Sequence, residues 1–404
     1  MAVNRREFMA KAGAAAVSFT ILRPEIVRGT QANSKIRLGL VGCGGRGGWI
    51  AGLFRKHGGY EITAVADYFR ERVDEVGGRL GVHEAARFTG LSGYKRLLER
   101  GVDALVVESP PYFHPEQAAA GVDAGVHVYL AKPPAVDVPG CLRIESSARQ
   151  AAAKKLSFLI DFQTRAHPSF IEAVERVHGG ALGEMAFGEA TYHADCPFEQ
   201  WYDLFKSDPG NPENRIRAWG LDKSLSGDMI TEQDIHVLDV MSWIMDGPPL
   251  YAIGSGGLTA RPRIGTCWDH FVVYYQYPKK VGVEFSGRQF KGHGTTEGIR
   301  NRMFGSRGVL ETEYGGGVLI RGENYYNGGK TPEIYESGAV ANIAAFHKSI
   351  AAGDSAHPTV APSVRSDLVS LLGRKAAYEN RLVTWDELLK DGERLAPDLK
   401  GLKD

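Results

Sequence analysis

Short apolar runs at 36–41, 60–66, 104–108, 127–130 and 156–160 alternate with stretches of helical period at 69–80, 93–100, 115–124 and 139–153. Runs that are apolar at nearly every position suit strands covered on both faces, and strands separated by helices pair in parallel. The pattern predicts an α/β fold, a doubly wound Rossmann-type parallel sheet. Beyond 160 the period changes. Residues 185–192, 268–277, 280–286, 309–313 and 317–321 alternate apolar with polar positions between glycines, which predicts an open mixed, mainly antiparallel sheet with one covered face. Between these lies 227–246, a helix of apolar period; the tail predicts two more helices, 342–352 and 363–378. The expected organisation is a leader at 1–34, a nucleotide domain at 35–160 and a C-terminal α+β domain at 161–404.

Acidic and basic residues balance at 48 each, so no global field points to nucleic acid or to a membrane surface. The leader carries Arg5-Arg6 before a short uncharged run, Ala12 to Leu22, which reads as a twin-arginine (Tat) export signal cleaved between 23 and 34. The expected partner is the Tat translocase and the expected destination the periplasm. No stable membrane anchor is expected. Cys43, Cys141, Cys196 and Cys267 form no C-x-x-C pair, and free thiols and no metal site are expected.

The first apolar run leads into Gly42-Cys-Gly44-Gly-Arg-Gly47, the G-x-G-x-x-G spacing, and then into a helix. Such a turn brings backbone N–H groups and a helix N-terminus to a pyrophosphate. The second run ends in Asp67, placed to bond a ribose 2'-hydroxyl, which favours NAD; Arg70 and Arg72 keep NADP as the alternative.

Lys132 closes the run 127–131, at the sheet edge where ligands of open parallel sheets bind. Glu232, His236, Asp239 and Trp243 fall on one face of the 227–246 helix by spacing. That face is read either as a solvated edge with a satisfied histidine or as part of a cleft. Oxidising an alcohol with NAD needs a base for the hydroxyl proton and a cation for the developing charge, and His236 and Lys132 are of those types. The segment 193–226 reads as an insertion over a pocket, in which Trp201, Tyr202 and Trp219 either stack on a sugar ring or pack locally.

The glycine turn, Asp67, Ser109-Pro110 with His114, Ala131-Lys132-Pro133, Glu232-x-x-x-His236-x-x-Asp239, Phe304-Gly-Ser-x-Gly-Val-Leu310 and Val383-Thr-Trp-Asp386 together resemble the glucose-fructose oxidoreductase / inositol dehydrogenase / MocA (Gfo/Idh/MocA) family. The resemblance implies a sugar or polyol substrate bound between the two domains and a homo-oligomer, dimer or tetramer. Implied catalytic residues are Lys132, Glu232 and His236. The cofactor site is expected at Gly42, Cys43, Gly44, Gly45, Arg46, Gly47, Asp67, Ser109, Pro110, His114 and Lys132. The substrate site is expected at Lys132, Arg165, Trp219, Glu232 and His236. Ala131 stands where the family has glutamate, and Glu232 where it has aspartate, which shifts expectations about the substrate more than about the reaction.

An exported enzyme meets no sizeable free nicotinamide pool, so NAD is expected to stay tightly bound through a redox-neutral cycle. The expected function is hydride transfer from a sugar or polyol hydroxyl. The alternative is glycoside cleavage or epimerisation through a transient keto-sugar, and the third reading is a non-catalytic nucleotide-dependent binding protein.

Overall fold

The apolar runs of the first half become strands. The computed structural model describes residues 35–404; the twin-arginine leader lies outside the described residues. Strands β1 (Ile36–Val41), β2 (Tyr60–Asp67), β3 (Arg87–Thr89), β4 (Ala104–Val107), β5 (His127–Ala131) and β6 (Phe158–Asp161) pair in parallel in the order β3-β2-β1-β4-β5-β6. Helices α1 (Gly45–His57), α2 (Arg70–Leu80), α3 (Gly93–Leu98), α4 (His114–Asp123) and α5 (Val138–Ala153) connect them. The order reverses between β1 and β4, so the binding crevice opens at their carboxyl ends. β3 has no place in the apolar pattern because it is three residues long and only half-buried.

After α6 (Gln163–Ala166) and α7 (Pro168–His178) comes the second sheet. It contains β7 (Met185–Ala194), β8 (Tyr251–Gly257), β9 (His270–Gln276), β10 (Gly282–Gln289), β11 (Gly298–Gly305), β12 (Gly308–Glu313), β13 (Gly317–Gly322), β14 (Tyr326–Lys330) and β15 (Val383–Thr384). All neighbours are antiparallel except β7 and β10. On β9 the alternation is direct: Phe271, Val273 and Tyr275 are buried, while Val272 and Tyr274 are exposed. One face is therefore covered and the other open, as expected.

The segment 193–226 holds the short helices α8 (Tyr202–Ser207), α9 (Pro212–Arg217) and α10 (Lys223–Ser226). The predicted helix at 227–246 is two helices, α11 (Met229–Glu232) and α12 (Ile235–Met245), interrupted at Gln233–Asp234. The chain closes with α13 (Ile334–Ala352), α14 (Val360–Glu379) and α15 (Trp385–Asp391). These return to the first sheet's layers: Tyr60 Oη donates to the Ile343 carbonyl at 3.0 Å, and Arg374 Nη1 to the Val136 carbonyl at 2.8 Å.

Candidate active site

The glycine turn fits a dinucleotide. Gly42 has φ +93°, and a Cβ there would lie 2.5 Å from the Glu108 carbonyl. A Cβ on Gly47 would meet the Gly42 carbonyl oxygen at 1.8 Å, so α1 packs directly on the turn. At Gly44 nothing comes nearer than Arg72 Nη1 at 3.8 Å, which leaves open the approach a pyrophosphate needs. No side chain caps α1 and no acid occupies its first turn, so its free N–H groups are available to an anion.

Asp67 ends β2 at the rim of the same cleft, beside Gly44, Ser109 and Pro110. Its Oδ2 accepts from Cys43 N at 2.7 Å and its Oδ1 from Phe69 N at 2.9 Å. Burial pushes its pKa upward against these bonds and the nearby Arg72 charge. The carboxylate is oriented by backbone donors, and its remaining lone pairs are free to accept ribose hydroxyls. Cys43 contributes its N–H, while its thiol is buried; all four cysteines are free thiols.

Two residues expected at the cofactor act from behind it. His114 is buried, with Nδ1 2.8 Å from the Pro133 carbonyl and Nε2 2.7 Å from the Ser109 carbonyl. Burial pushes its pKa down to about 4, against the pull of those carbonyls. It braces the Ser109 loop against the cis Lys132–Pro133 bond instead of touching the cleft. Arg46 turns inward: its guanidinium pairs with Glu108 at 3.0 Å and with Asp161, and lies 5.5 Å from the ring centres of Trp49 and Tyr335. Glu108 and Asp161 escaped the sequence reading, although each stands, like Asp67, at the end of a parallel strand. That position was the available signal.

Lys132 and Glu232, two of the residues expected to be catalytic, meet at the carboxyl end of β5. Lys132 Nζ donates to the Glu232 backbone carbonyl and lies 3.2 Å from Glu232 Oε1, with both side chains nearly buried. His236 follows on the next helix, its ring 5.2 Å from that of Tyr314. Burial, reinforced by the charges of Lys132 and Arg46, pushes the His236 pKa well below the ordinary value, so the imidazole is neutral and able to accept a proton. Between them Asp234 is fully buried with neither carboxylate oxygen hydrogen-bonded. Burial, with Asp228 and Glu232 nearby, pushes its pKa well up, against the opposing charge of Lys132.

The expected single face of 227–246 divides. Glu232 faces Lys132, whereas Asp239 and Trp243 hold Arg165: Nε to Asp239 Oδ1 is 2.9 Å, and the guanidinium stands 5.1 Å over the Trp243 ring. With its charge matched by Asp239, Arg165 braces α6 against α12 and does not join Lys132 and His236. Trp219 is also displaced from the expected substrate site. It lines the cofactor cleft with Asp67, Phe69 and Phe113, and packs edge-on to Phe198 at 5.5 Å.

The family model for the oxidoreductase NAD-binding Rossmann fold of Gfo/Idh/MocA proteins matches residues 36–157, and that for the GFO/IDH/MocA C-terminal domain matches 170–311. Together they span well over half of the chain. The chain belongs to the Gfo/Idh/MocA family. It is thus an oxidoreductase of CH–OH donors with an NAD-binding Rossmann domain. A myo-inositol dehydrogenase of Streptomyces leeuwenhoekii is 25% identical over 276 residues, 67% of this chain and 75% of that protein. A glycosyl hydrolase family 109 protein of Solibacter usitatus is 27% identical over 172 residues, 40% of this chain and 38% of that protein. A solved levoglucosan dehydrogenase, in complex with NADH and levoglucosan, shares the fold with a TM-score of 0.69 at 17% identity, covering 87% of this chain and 99% of that one. Within the family frame, the matched first domain carries the glycine turn, Asp67 and Lys132, and the matched second domain carries Glu232 and His236.

Proposed function

We propose that this member oxidises a hydroxyl of a sugar or polyol in an exported, periplasmic enzyme that keeps NAD bound and returns the hydride in the same catalytic cycle. The observation that carries the reading is the Lys132–Glu232 pair, with the half-buried His236 on the next helix held well below its ordinary pKa, at the carboxyl edge of the sheet whose glycine turn receives the dinucleotide. NAD bound in that cleft supplies the hydride acceptor. His236 takes the hydroxyl proton, and its neutral state at ordinary pH is what the step requires. Lys132 Nζ presents a positive charge to the oxygen as negative charge develops there. Glu232 orients the lysine and accepts from a neighbouring hydroxyl; as the longer acid in this position it sets how deep the ring sits. The polyol class is supported by the names of the inositol and levoglucosan dehydrogenases to which the chain is similar. Export rests on Arg5-Arg6. A dimer or tetramer is supported by the uncovered sheet face, where Phe187, Ile253 and Val272 are exposed.

The similarity to a glycosyl hydrolase family 109 protein favours a second use of the same residues. Transient oxidation acidifies the neighbouring C–H, and elimination or epimerisation follows before the hydride returns. One experiment separates the two. The purified protein is denatured and its supernatant assayed for NAD(H); the intact protein is then incubated with free sugars, inositols and aryl glycosides. Reduction of bound nicotinamide by a free polyol supports the oxidoreductase, and glycoside cleavage without added NAD supports the second use. Absence of both copurified and added NAD from the protein would sink both.

A further inference from the structure

We propose that the segment Phe198–Asp222 and the chain end Leu399–Asp404 form a latch over the adenosine end of the cofactor cleft, so that NAD leaves only when the latch opens. The inference rests on the NAD reading and names the residues that would make the cofactor resident.

The cleft that starts at the glycine turn and passes Asp67 continues between Phe69, Leu91 and Phe113 on the sheet side and Ile216 and Trp219 on the other. The second wall belongs to the insertion, not to the nucleotide-binding sheet. Beyond the ribose-facing carboxylate the lining is apolar and aromatic, the chemistry that receives a purine ring.

The wall is pinned to the loops it covers. Arg217 stacks on the Phe69 ring at 3.7 Å and pairs with Glu71; Tyr68 Oη donates to Glu213 Oε1 at 2.8 Å. The chain end then closes over these pins. Lys403 N donates to Tyr68 Oη at 3.2 Å, Leu91 N donates to the Lys403 carbonyl at 3.0 Å, and Lys403 Nζ lies 3.4 Å from Glu213. A Cβ on Gly90 would sit 2.4 Å from the Asp404 carbonyl oxygen, so the tail lies directly on this loop. Leu399 and Leu402 pack into the same cluster as Phe69, Ile216 and Trp219.

Tyr68 is the joint. Its hydroxyl donates to the insertion and accepts from the tail, and it is the residue next to Asp67. The pins are exposed ion pairs and single hydrogen bonds, which are individually weak, so they can break without disturbing either sheet. Held closed, the latch covers the adenosine end of the cleft lined by Phe69, Leu91, Ile216 and Trp219.

The test compares the full chain with a variant ending at Asp398 and with Tyr68→Phe and Arg217→Ala. Each is loaded with NAD, and release is timed by capture of freed NAD in a coupled dehydrogenase assay, with thermal melting recorded alongside. The truncation and Arg217→Ala should release NAD at least tenfold faster than the full chain at an unchanged melting temperature. Tyr68→Phe, which loses one donor and one acceptor, should lie between. Equal release rates in well-folded variants overturn the latch and leave the cofactor assignment standing. If the full chain binds no NAD, the cofactor assignment fails and the latch fails with it. Should the truncated chain melt early, the two point variants decide by the same criterion.

Discussion

Lys132 Nζ and Glu232 Oε1 lie 3.2 Å apart, joining the carboxyl end of the fifth parallel strand to the last residue of a short helix from the other half of the chain. In the proposed reaction Lys132 faces the substrate oxygen as negative charge develops there, and Glu232 holds it in place. Replacing Lys132 by alanine should lower single-turnover hydride transfer by roughly a hundredfold to a thousandfold, the range for losing one preorganised donor to a developing oxyanion. NAD content should be retained. Loss of NAD in place of loss of rate would make Lys132 a cofactor anchor only.

His236 should be a competent base over the whole neutral range. Burial, Lys132 and Arg46 all push its pKa below the ordinary value, so activity should not fall between pH 8 and 6 as it would for an exposed imidazole near its usual pKa of about 6.5. The same depression sets a stability slope. The unfolded state binds the proton first, so this group's contribution is present above about pH 6.5 and is lost as pH falls towards the folded-state value. His236→Ala should cost about two to four orders of magnitude in rate. A His236→Ala variant whose rate is unchanged would remove the histidine from the mechanism.

The strands legible from sequence were those whose apolar runs are long enough to show a period. β3, Arg87-Phe-Thr, is too short, and β8, Tyr-Ala-Ile-Gly-Ser-Gly-Gly, is too rich in glycine; β11 was hidden by arginines on its partly open face. The places of Gly42, Asp67 and Lys132 at the carboxyl ends of parallel strands were legible because local pattern sets them. Arg46 was not, since its direction depends on Glu108 and Asp161 from distant strands. Neither was the destination of Trp219. Its loop has no period, and only tertiary packing decides which end of the crevice it covers.

Arg165 is expected to act on stability and not on substrate affinity. Its partner Asp239 is fully buried, and breaking such a pair by removing one side costs about 3–5 kcal/mol because it strands the other charge. Arg165→Ala should therefore melt well below the parent chain, while the KM of the folded fraction stays within about twofold, a small differential-binding term. A large rise in KM at an unchanged melting temperature would return Arg165 to the substrate site.

Asp67 should set the cofactor choice. Its carboxylate is fixed by Cys43 N and Phe69 N, and a 2'-phosphate placed there would bring two negative groups together with Arg72 as the sole adjacent compensation among the cleft-lining residues. NAD should bind roughly a hundredfold more tightly than NADP, of the order expected when a charged group meets a like charge in a partly buried site. Asp67→Ser should narrow that ratio to about tenfold or less, because the repulsion is removed while Arg72 remains. Fluorescence titration with both nucleotides reads the ratio directly, and an unchanged preference would assign the discrimination elsewhere.

Glu108 links the pyrophosphate turn to pH. It is fully buried against Arg46, and burial raises its pKa from 4.5 to about 7, with Asp161 adding to the rise and Arg46 opposing it. The folded state therefore holds a proton that the unfolded state has released, so its contribution is present below pH 4.5 and is lost as pH rises through about 7. Glu108→Gln keeps the shape and abolishes the titration. Across that interval the variant should lack a stability decline seen in the parent chain. Thermal melting followed between pH 5 and pH 8 decides the point: equal slopes in the two proteins would mean that Glu108 does not titrate against Arg46.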